Sequence, residues 1–274
     1  MPPSDSVAFA ARLDRRSVRP EKPSMSPPRR LIAGNWKMNG LMEDGVKRAA
    51  DLAARARAAK TLPDIVLCPP ATILAAVGKA IAGSPLALGA QDCHPQDKGA
   101  HTGDISAAML AELGCSYVIA GHSERRAAYG ETDAQVRAKA EAAQRAGLIP
   151  IVCVGESRLD REAWRHLDVI ARQIDLSLPP GATPANAVIA YEPVWAIGTG
   201  LTPTPADIAE AHRHLRMRLS AASRQGGEMR ILYGGSANAK NAAEILAVEG
   251  VDGCLVGGAS LDADAFWAMI EAAS

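Results

Sequence analysis

The chain has 274 residues, of which 48% are hydrophobic and 22% are charged, an ordinary composition for a globular protein. Lys and Arg together number 30, the same as Asp and Glu, so nothing favours binding to nucleic acid or to a membrane surface. The 5 cysteines form no C-x-x-C pair, so zinc-ribbon and thioredoxin-type motifs are absent and a reducing cytoplasm is favoured over secretion.

The first 29 residues differ in composition from the rest, being rich in Pro, Ser and Arg. Their only apolar patch, Val7 to Ala11, is too short for the core of a signal peptide. We predict that residues 1–29 are a disordered extension, or that the start codon was assigned too early and translation begins at Met25. Residues 30–274 are predicted to form a single catalytic domain. No apolar run in the sequence approaches the roughly 20 residues needed to cross a bilayer.

From Leu31 onward, short and continuously apolar runs alternate with longer Ala-rich amphipathic stretches. Runs of this kind are typical of parallel strands that are buried on both faces. They are Leu31–Ala33, Ile65–Leu67, Leu86–Leu88, Tyr117–Ala120, Ile149–Val154, Val188–Tyr191, Ile231–Tyr233 and Cys254–Val256.

The stretches between these runs contain helix signals. Thr132 and Gln135 have the spacing of a capping box, and Thr204 before Pro205 is typical of an N-cap followed by a first-turn proline. Alternation of strands and helices without a break favours an α/β fold, a (βα)8 barrel of eight parallel strands closed on themselves with the helices outside. An open doubly wound sheet is the alternative, although it would more often place a Gly-rich turn directly after the first strand.

Polar residues follow several of the runs, at the barrel face where active sites form. Asn35 and Lys37 follow the first run, His122 the fourth and Glu192 the sixth, while paired glycines follow the seventh and eighth. Each residue taken alone has a structural explanation: a surface cation, a helix cap, an ion-pair partner or a tight turn. Their convergence on one rim favours an active site, with phosphate held at the two glycine loops.

The segments that carry these residues, taken together and in order, resemble those of triosephosphate isomerases from about Leu31 to the C-terminus. The matching runs are Gly34-Asn35-Trp36-Lys37-Met38-Asn39-Gly40, Tyr117 to Arg126 with its Gly121-His122-Ser123-Glu124 centre, Tyr191-Glu192-Pro193-Val194-Trp195-Ala196-Ile197-Gly198-Thr199-Gly200, Tyr233-Gly234-Gly235-Ser236 and Leu255 to Ser260.

The resemblance implies interconversion of dihydroxyacetone phosphate and D-glyceraldehyde 3-phosphate, in glycolysis and gluconeogenesis, without a cofactor or metal. Glu192 would move a proton between two adjacent carbons, with apolar neighbours raising its pKa. His122 would polarise the substrate oxygens as a neutral imidazole at a helix N-terminus, an arrangement for which this family is a known example. Lys37 would stabilise the developing negative charge, with Asn35 as a polar partner.

The resemblance also implies a lid over the site, which excludes water and so suppresses loss of phosphate from the enediol intermediate. Its residues would be Pro193, Val194, Trp195, Ala196, Ile197, Gly198, Thr199 and Gly200. Besides Asn35 and Lys37, the substrate and its phosphate would contact Gly198, Ser236, Gly257 and Gly258, where glycines let the main chain approach closely.

A homodimer is implied as well, because the segment from Gly99 to Asp104 resembles the loop that family members insert into a partner subunit, with Thr102 near the partner's lysine. Three residues depart from the family pattern: His101, Asp104 and Leu201. Two other functions stay open at this stage. One is a different (βα)8 sugar-phosphate enzyme, and the other is a catalytically silent copy that acts as a binding protein.

Overall fold

A computed structural model describes residues 28–197 and 201–274 of the chain. Its eight parallel strands form a closed barrel in sequence order, and the eighth strand pairs with the first. The predicted (βα)8 barrel is therefore confirmed, and the open sheet is excluded because that sheet would have two free edges. The strands are β1 Leu31–Asn35, β2 Asp64–Cys68, β3 Leu86–Ala90, β4 Cys115–Ala120, β5 Ile149–Val154, β6 Val188–Tyr191, β7 Ile231–Tyr233 and β8 Gly253–Val256.

The helices pack around the outside of the barrel, and several of them begin at capping residues. Thr132 and Gln135 form the predicted capping box, and Thr204 caps a helix that has Pro205 in its first turn. The helices are α1 Met42–Ala58, α2 Leu74–Ile81, α3 Ala107–Glu112, α4 Ser123–Tyr129, α5 Asp133–Arg145, α6 Arg158–Glu162, α7 His166–Ser177, α8 Pro205–Ala222, α9 Ala242–Leu246 and α10 Ala263–Ala273.

The strands separate two layers of buried side chains. One layer fills the barrel interior and includes Leu31, Ala33 and Tyr117, and the other lies between the strands and the helices. Successive side chains of a strand point to opposite faces. Asn35 therefore continues the inward-facing series of Leu31 and Ala33, which places its amide at the mouth of the barrel.

The cysteines behave as small core residues, as their sequence contexts suggest. All five are free thiols and buried. Burial raises the pKa of Cys93 to about 12, which leaves this thiol without nucleophilic character at neutral pH. Among residues 28–197 and 201–274, no helix combines the length and the apolar character that crossing a membrane requires. The prediction for the N-terminal extension falls mostly on residues 1–27, which lie outside the described residues.

Candidate active site

Lys37 lies just past β1 in a backbone conformation that is uncommon for a residue with a side chain, with φ of 52°. The Asn35 Oδ1 atom accepts the Lys37 backbone N–H at 3.0 Å. On the other side, the Gln91 amide donates to the Lys37 carbonyl at 2.8 Å and to the Cys68 carbonyl at 2.9 Å. A strained backbone held from two sides is typical of a functional position.

The Lys37 ammonium lies at the mouth of the barrel, paired with the carboxylate of Glu124. The loop after β8 approaches it closely, since a Cβ atom placed on Gly257 would lie 3.2 Å from Lys37 Cε. Asn35, Lys37, His122 and Glu124 line one cavity of about 160 Å³. The first strand, the fourth strand and the eighth strand therefore contribute to one site.

His122 caps the N-terminus of α4, and its protonation pattern can be read from its contacts. The Nδ1 atom accepts the backbone N–H of Glu124 at 3.2 Å, which requires a lone pair on Nδ1. The proton of a neutral ring is then on Nε2, which lies 3.0 Å from Glu192 Oε1. This geometry is the one expected of a neutral imidazole that donates from Nε2.

The Glu192 carboxylate is buried just past the end of β6, and three donors surround it. Oε2 accepts the Ser123 backbone N–H at 2.9 Å, and Oε1 accepts the Ser123 hydroxyl at 3.0 Å in addition to the His122 contact. Two glycines make room for this residue. A Cβ atom on Gly155 would lie 1.7 Å from the Glu192 carbonyl oxygen, and one on Gly234 would lie 2.9 Å from Glu192 Cγ.

The prediction that the pKa of Glu192 is raised is wrong for this conformation. Burial does raise the pKa, but the neighbouring His122 ring and the two Ser123 donors outweigh it, so the net shift is downward. The pKa of His122 is shifted by the same contact. Burial disfavours the His122 imidazolium, but Glu192 favours it, and the net pKa of His122 is raised. The sequence predicted the apolar surroundings but not the donors.

The first residues of the predicted lid are anchored to the barrel. The Trp195 indole donates to Glu156 Oε1 at 2.7 Å, and the Tyr191 hydroxyl donates to the same oxygen at 3.1 Å. The Ser236 hydroxyl donates to the Ala196 carbonyl at 3.3 Å, which brings the loop after β7 against the lid. Gly198, Thr199 and Gly200 lie outside the described residues.

Comparisons with known proteins agree with this geometry. The family model described as triosephosphate isomerase matches residues 30–273. The chain belongs to the triosephosphate isomerase family. The triosephosphate isomerase of Afipia carboxidovorans is 56% identical over 248 residues, which cover 89% of this chain and 97% of that protein. That of Bradyrhizobium diazoefficiens is 55% identical over 244 residues, with coverages of 89% and 97%.

Among solved structures, the triosephosphate isomerase of Bartonella henselae superimposes with a TM-score of 0.83 at 45% identity. The match covers 89% of this chain and 99% of that one. The resemblance inferred from the sequence is thus confirmed, and the two alternative functions are not favoured.

The structure brings most of the predicted residues of this triosephosphate isomerase site together. Asn35, Lys37, His122 and Glu192 surround the mouth of the barrel, and Gly257 lies against Lys37. Gly258 is exposed beside it at the start of a short 3-10 turn.

Sequence reasoning gave no role to two residues that hold the site. Gln91 follows β3 directly and fixes the Lys37 backbone, and Glu156 follows β5 and accepts the Trp195 indole. Reading the residues past every strand, and not only past the first, fourth, sixth, seventh and eighth, would have identified both. Ser123 and Glu124 follow His122 in the sequence, but their contacts with Glu192 and Lys37 form only in the folded chain.

Proposed function

We propose that Glu192 is the base with which this chain interconverts dihydroxyacetone phosphate and D-glyceraldehyde 3-phosphate. The activity follows from membership of the family. The assignment of the base rests on one observation, that a buried carboxylate lies 3.0 Å from the Nε2 atom of a helix-capping histidine. The same mouth of the barrel holds the lysine ammonium that an anionic intermediate requires.

The contacts of Glu192 support a sequence of proton movements. To reach the carbon next to the substrate carbonyl, the carboxylate leaves the Ser123 donors, and the His122 Nε2 proton becomes available to the substrate oxygen. A carboxylate that loses three donors while it stays buried becomes a stronger base. It then takes the proton from one carbon, while His122 and Lys37 stabilise the negative charge on the oxygen, and returns the proton to the neighbouring carbon.

The substrate phosphate is assigned to the backbone of the two glycine loops. Gly257 and Gly258 follow β8, and Gly257 packs against Lys37, so an anion here would meet both N–H groups and the ammonium. Ser236, after β7, and Gly198, in the lid, complete the proposed phosphate contacts, and Asn35 orients Lys37. No cofactor and no metal takes part in the proposed reaction.

Replacing Glu192 by Gln tests the assignment of the base. The amide keeps the size of the side chain but cannot accept the proton, so we expect kcat to fall by about 10³-fold or more with little change in KM. A coupled spectrophotometric assay in both directions measures this. Lys37→Met should instead raise KM and lower kcat together, because the ammonium contacts both the ground state and the intermediate. Turnover at the wild-type rate by either variant would contradict the role given to that residue.

The lid, from Pro193 to Gly200, is proposed to protect the enediol intermediate from losing phosphate. Deleting Ile197 to Thr199 should therefore raise the fraction of substrate that is converted to the elimination product methylglyoxal. The ratio of elimination to isomerisation is measured on the same sample, so a loss of active protein does not affect it. A deletion variant that isomerises slowly but without extra elimination would argue against the lid.

A homodimer is the proposed assembly. Met38 and Tyr129 line the cavity that holds Lys37 and are 96% and 72% exposed. Exposed large apolar side chains that lie together are typical of a protein interface. Thr102 is exposed, in the Gly99–Asp104 segment that resembles the family's interface loop. A hydrodynamic mass of two subunits is expected at micromolar concentration, and a mass of one subunit would refute the dimer. We propose a cytoplasmic location, since every cysteine is a free thiol.

A further inference from the structure

Two histidines and an aspartate meet on the loop after β3 (residues 91–106), outside the site described above. His94 lies near the start of this loop, and His101 and Asp104 flank the turn near its end. One ring nitrogen of each histidine and one carboxylate oxygen of Asp104 lie within 4.8 Å of one another. The two rings stack with their centres 3.9 Å apart, and His94 Nε2 lies 3.8 Å from Asp104 Oδ2.

Backbone contacts hold the two halves of the loop against each other. The His94 N–H donates to the Ile105 carbonyl at 2.8 Å, so the residue next to Asp104 is fixed beside His94. The Asp104 N–H donates to the His101 carbonyl at 3.1 Å, which closes the turn between them. Gly99 leaves space for the His101 ring, since a Cβ atom on Gly99 would lie 3.0 Å from His101 Cδ2. The main chain therefore brings the three side chains together.

Gln96 decides which nitrogen of each neutral ring carries the proton. Its Oε1 atom can only accept and lies 2.9 Å from His101 Nε2, so Nε2 carries the proton and Nδ1 keeps a free lone pair. A histidine that binds a metal usually donates its other N–H in this way. The Gln96 backbone N–H donates to His94 Nδ1 at 3.1 Å, so the proton of His94 is on Nε2. An ion at His94 Nε2 therefore requires this proton to move to Nδ1 and the Gln96 N–H to turn to solvent.

The donors and their spacing suit a transition-metal ion. Two imidazoles and a carboxylate are a ligand set that Zn²⁺ takes in proteins, with water in the fourth position, whereas Mg²⁺ and Ca²⁺ prefer oxygen ligands. Two ligands of a tetrahedral zinc ion lie about 3.3 Å apart. The His94–Asp104 pair is 3.8 Å apart, and rotation of the Asp104 side chain, which is 57% exposed, would close the gap. Both residues line a cavity of about 260 Å³, which gives an ion a path to them.

We propose that His94, His101 and Asp104 form a Zn²⁺ site that fixes the loop after β3. Thr102 lies between two of the three ligands, so a bound ion restricts the tip of the loop to which the homodimer is assigned. His101 and Asp104 both depart from the family pattern, so that pattern does not account for the cluster. The site is separate from the proposed base, because no contact in the described part of the chain links its residues to Glu192. Only its effect on assembly rests on the proposed function.

Calorimetric titration of Zn²⁺ into untagged, chelator-treated protein tests the site. The chain has 6 histidines and 5 cysteines, and every cysteine is buried, so competing sites are few. We expect one Zn²⁺ per chain and no binding of Mg²⁺ at the same concentrations. The variants His94→Asn, His101→Asn and Asp104→Ala each lose a ligand, so each should weaken binding by more than the about 10- to 100-fold that losing an outer-shell partner costs. His214→Asn, a partly exposed histidine on α8, is the control and should bind as the wild type does.

Two further measurements keep the inference testable if a variant folds poorly. Co²⁺ takes the same ligands and absorbs visible light in a way that reports its coordination, so the wild type should show bands that the loop variants lack. Zn²⁺ should raise the Tm of the wild type, because an ion that binds only the folded state stabilises it, and His101→Asn should abolish this rise. Zn²⁺ binding that is equal in the loop variants and in His214→Asn, or no Zn²⁺ binding by the wild type, would overturn the inference.

The effect on assembly is measured by sedimentation at a series of low protein concentrations, with Zn²⁺ or with EDTA. Zn²⁺ should lower the dissociation constant of the dimer severalfold in the wild type but not in His101→Asn. An equal constant in both solutions would overturn the part of the inference that concerns assembly. The failure of the site differs from the failure of the proposed function. If the wild type isomerises triose phosphates but binds no Zn²⁺, only the site is wrong. If it binds Zn²⁺ through the loop but does not isomerise, only the proposed function is wrong.

Discussion

His212 makes the stability of this protein depend on pH. It lies in α8 with no exposed surface. Its Nδ1 atom is 3.0 Å from the Gly250 carbonyl and so carries the proton, while Nε2 has no hydrogen-bond partner. Protonation would place a charged N–H donor in apolar surroundings. Burial accordingly lowers the pKa of His212 from 6.5 to about 4.

Whether stability rises or falls with pH depends on which state, folded or unfolded, binds a proton at the higher pH. As the pH falls below 6.5, the His212 ring becomes protonated in the unfolded chain but stays neutral in the folded one until about pH 4. The unfolded state therefore gains stability over this window, and the free energy of unfolding decreases. One pKa unit corresponds to about 1.4 kcal/mol, so the full loss between pH 6.5 and pH 4 is about 3 kcal/mol.

Replacing His212 by Asn removes the titration and keeps an amide that can donate to the Gly250 carbonyl. The variant should be less stable than the wild type at pH 7.5, and the difference should shrink by about 1.4 kcal/mol for each pH unit below 6.5. Urea unfolding at four pH values and one protein concentration measures this. His214→Asn, on the same helix but partly exposed, is the control. A stability difference between the wild type and His212→Asn that stays constant from pH 7.5 to 4.5 would refute the reasoning.

Three further predictions concern single positions. Ser123→Ala removes one donor to Glu192, so the pKa of that carboxylate should rise and the acidic limb of a kcat/KM profile should move to higher pH. Trp164 is 86% exposed with φ of 58°, and Trp164→Gly should stabilise the fold by about 1 kcal/mol, seen as a higher Tm. Gly234→Ala should lower kcat/KM by about 10- to 100-fold, because its methyl group would displace Glu192, while Tm should change little. An equal fall in kcat/KM when a glycine far from the site is replaced by Ala would contradict this.

The order of the strands and helices, and the polar residues at the mouth of the barrel, can be predicted from the amino-acid sequence alone. Strand runs such as Ile149–Val154 and Val188–Tyr191 match the folded strands residue for residue, because continuous apolar runs between helix caps are a local property of the chain. The Thr132 and Thr204 caps were readable for the same reason. The parallel strands of a barrel all end on the same rim. The positions of Lys37, His122 and Glu192 just past their strands are therefore enough to predict that they lie together.

How these groups shift one another's pKa values depends on contacts that form only in the folded chain. The pKa of Glu192 is lowered by His122 and by the Ser123 donors, which lie 69 residues away in the chain. Together they reverse the upward shift that the apolar sequence neighbours alone predict. The contact of Arg161 with Asp207 spans 46 residues. Contacts of this kind depend on distances of a few ångströms between side chains on different loops, and such distances are set by the closure of the barrel and not by any local pattern of residues.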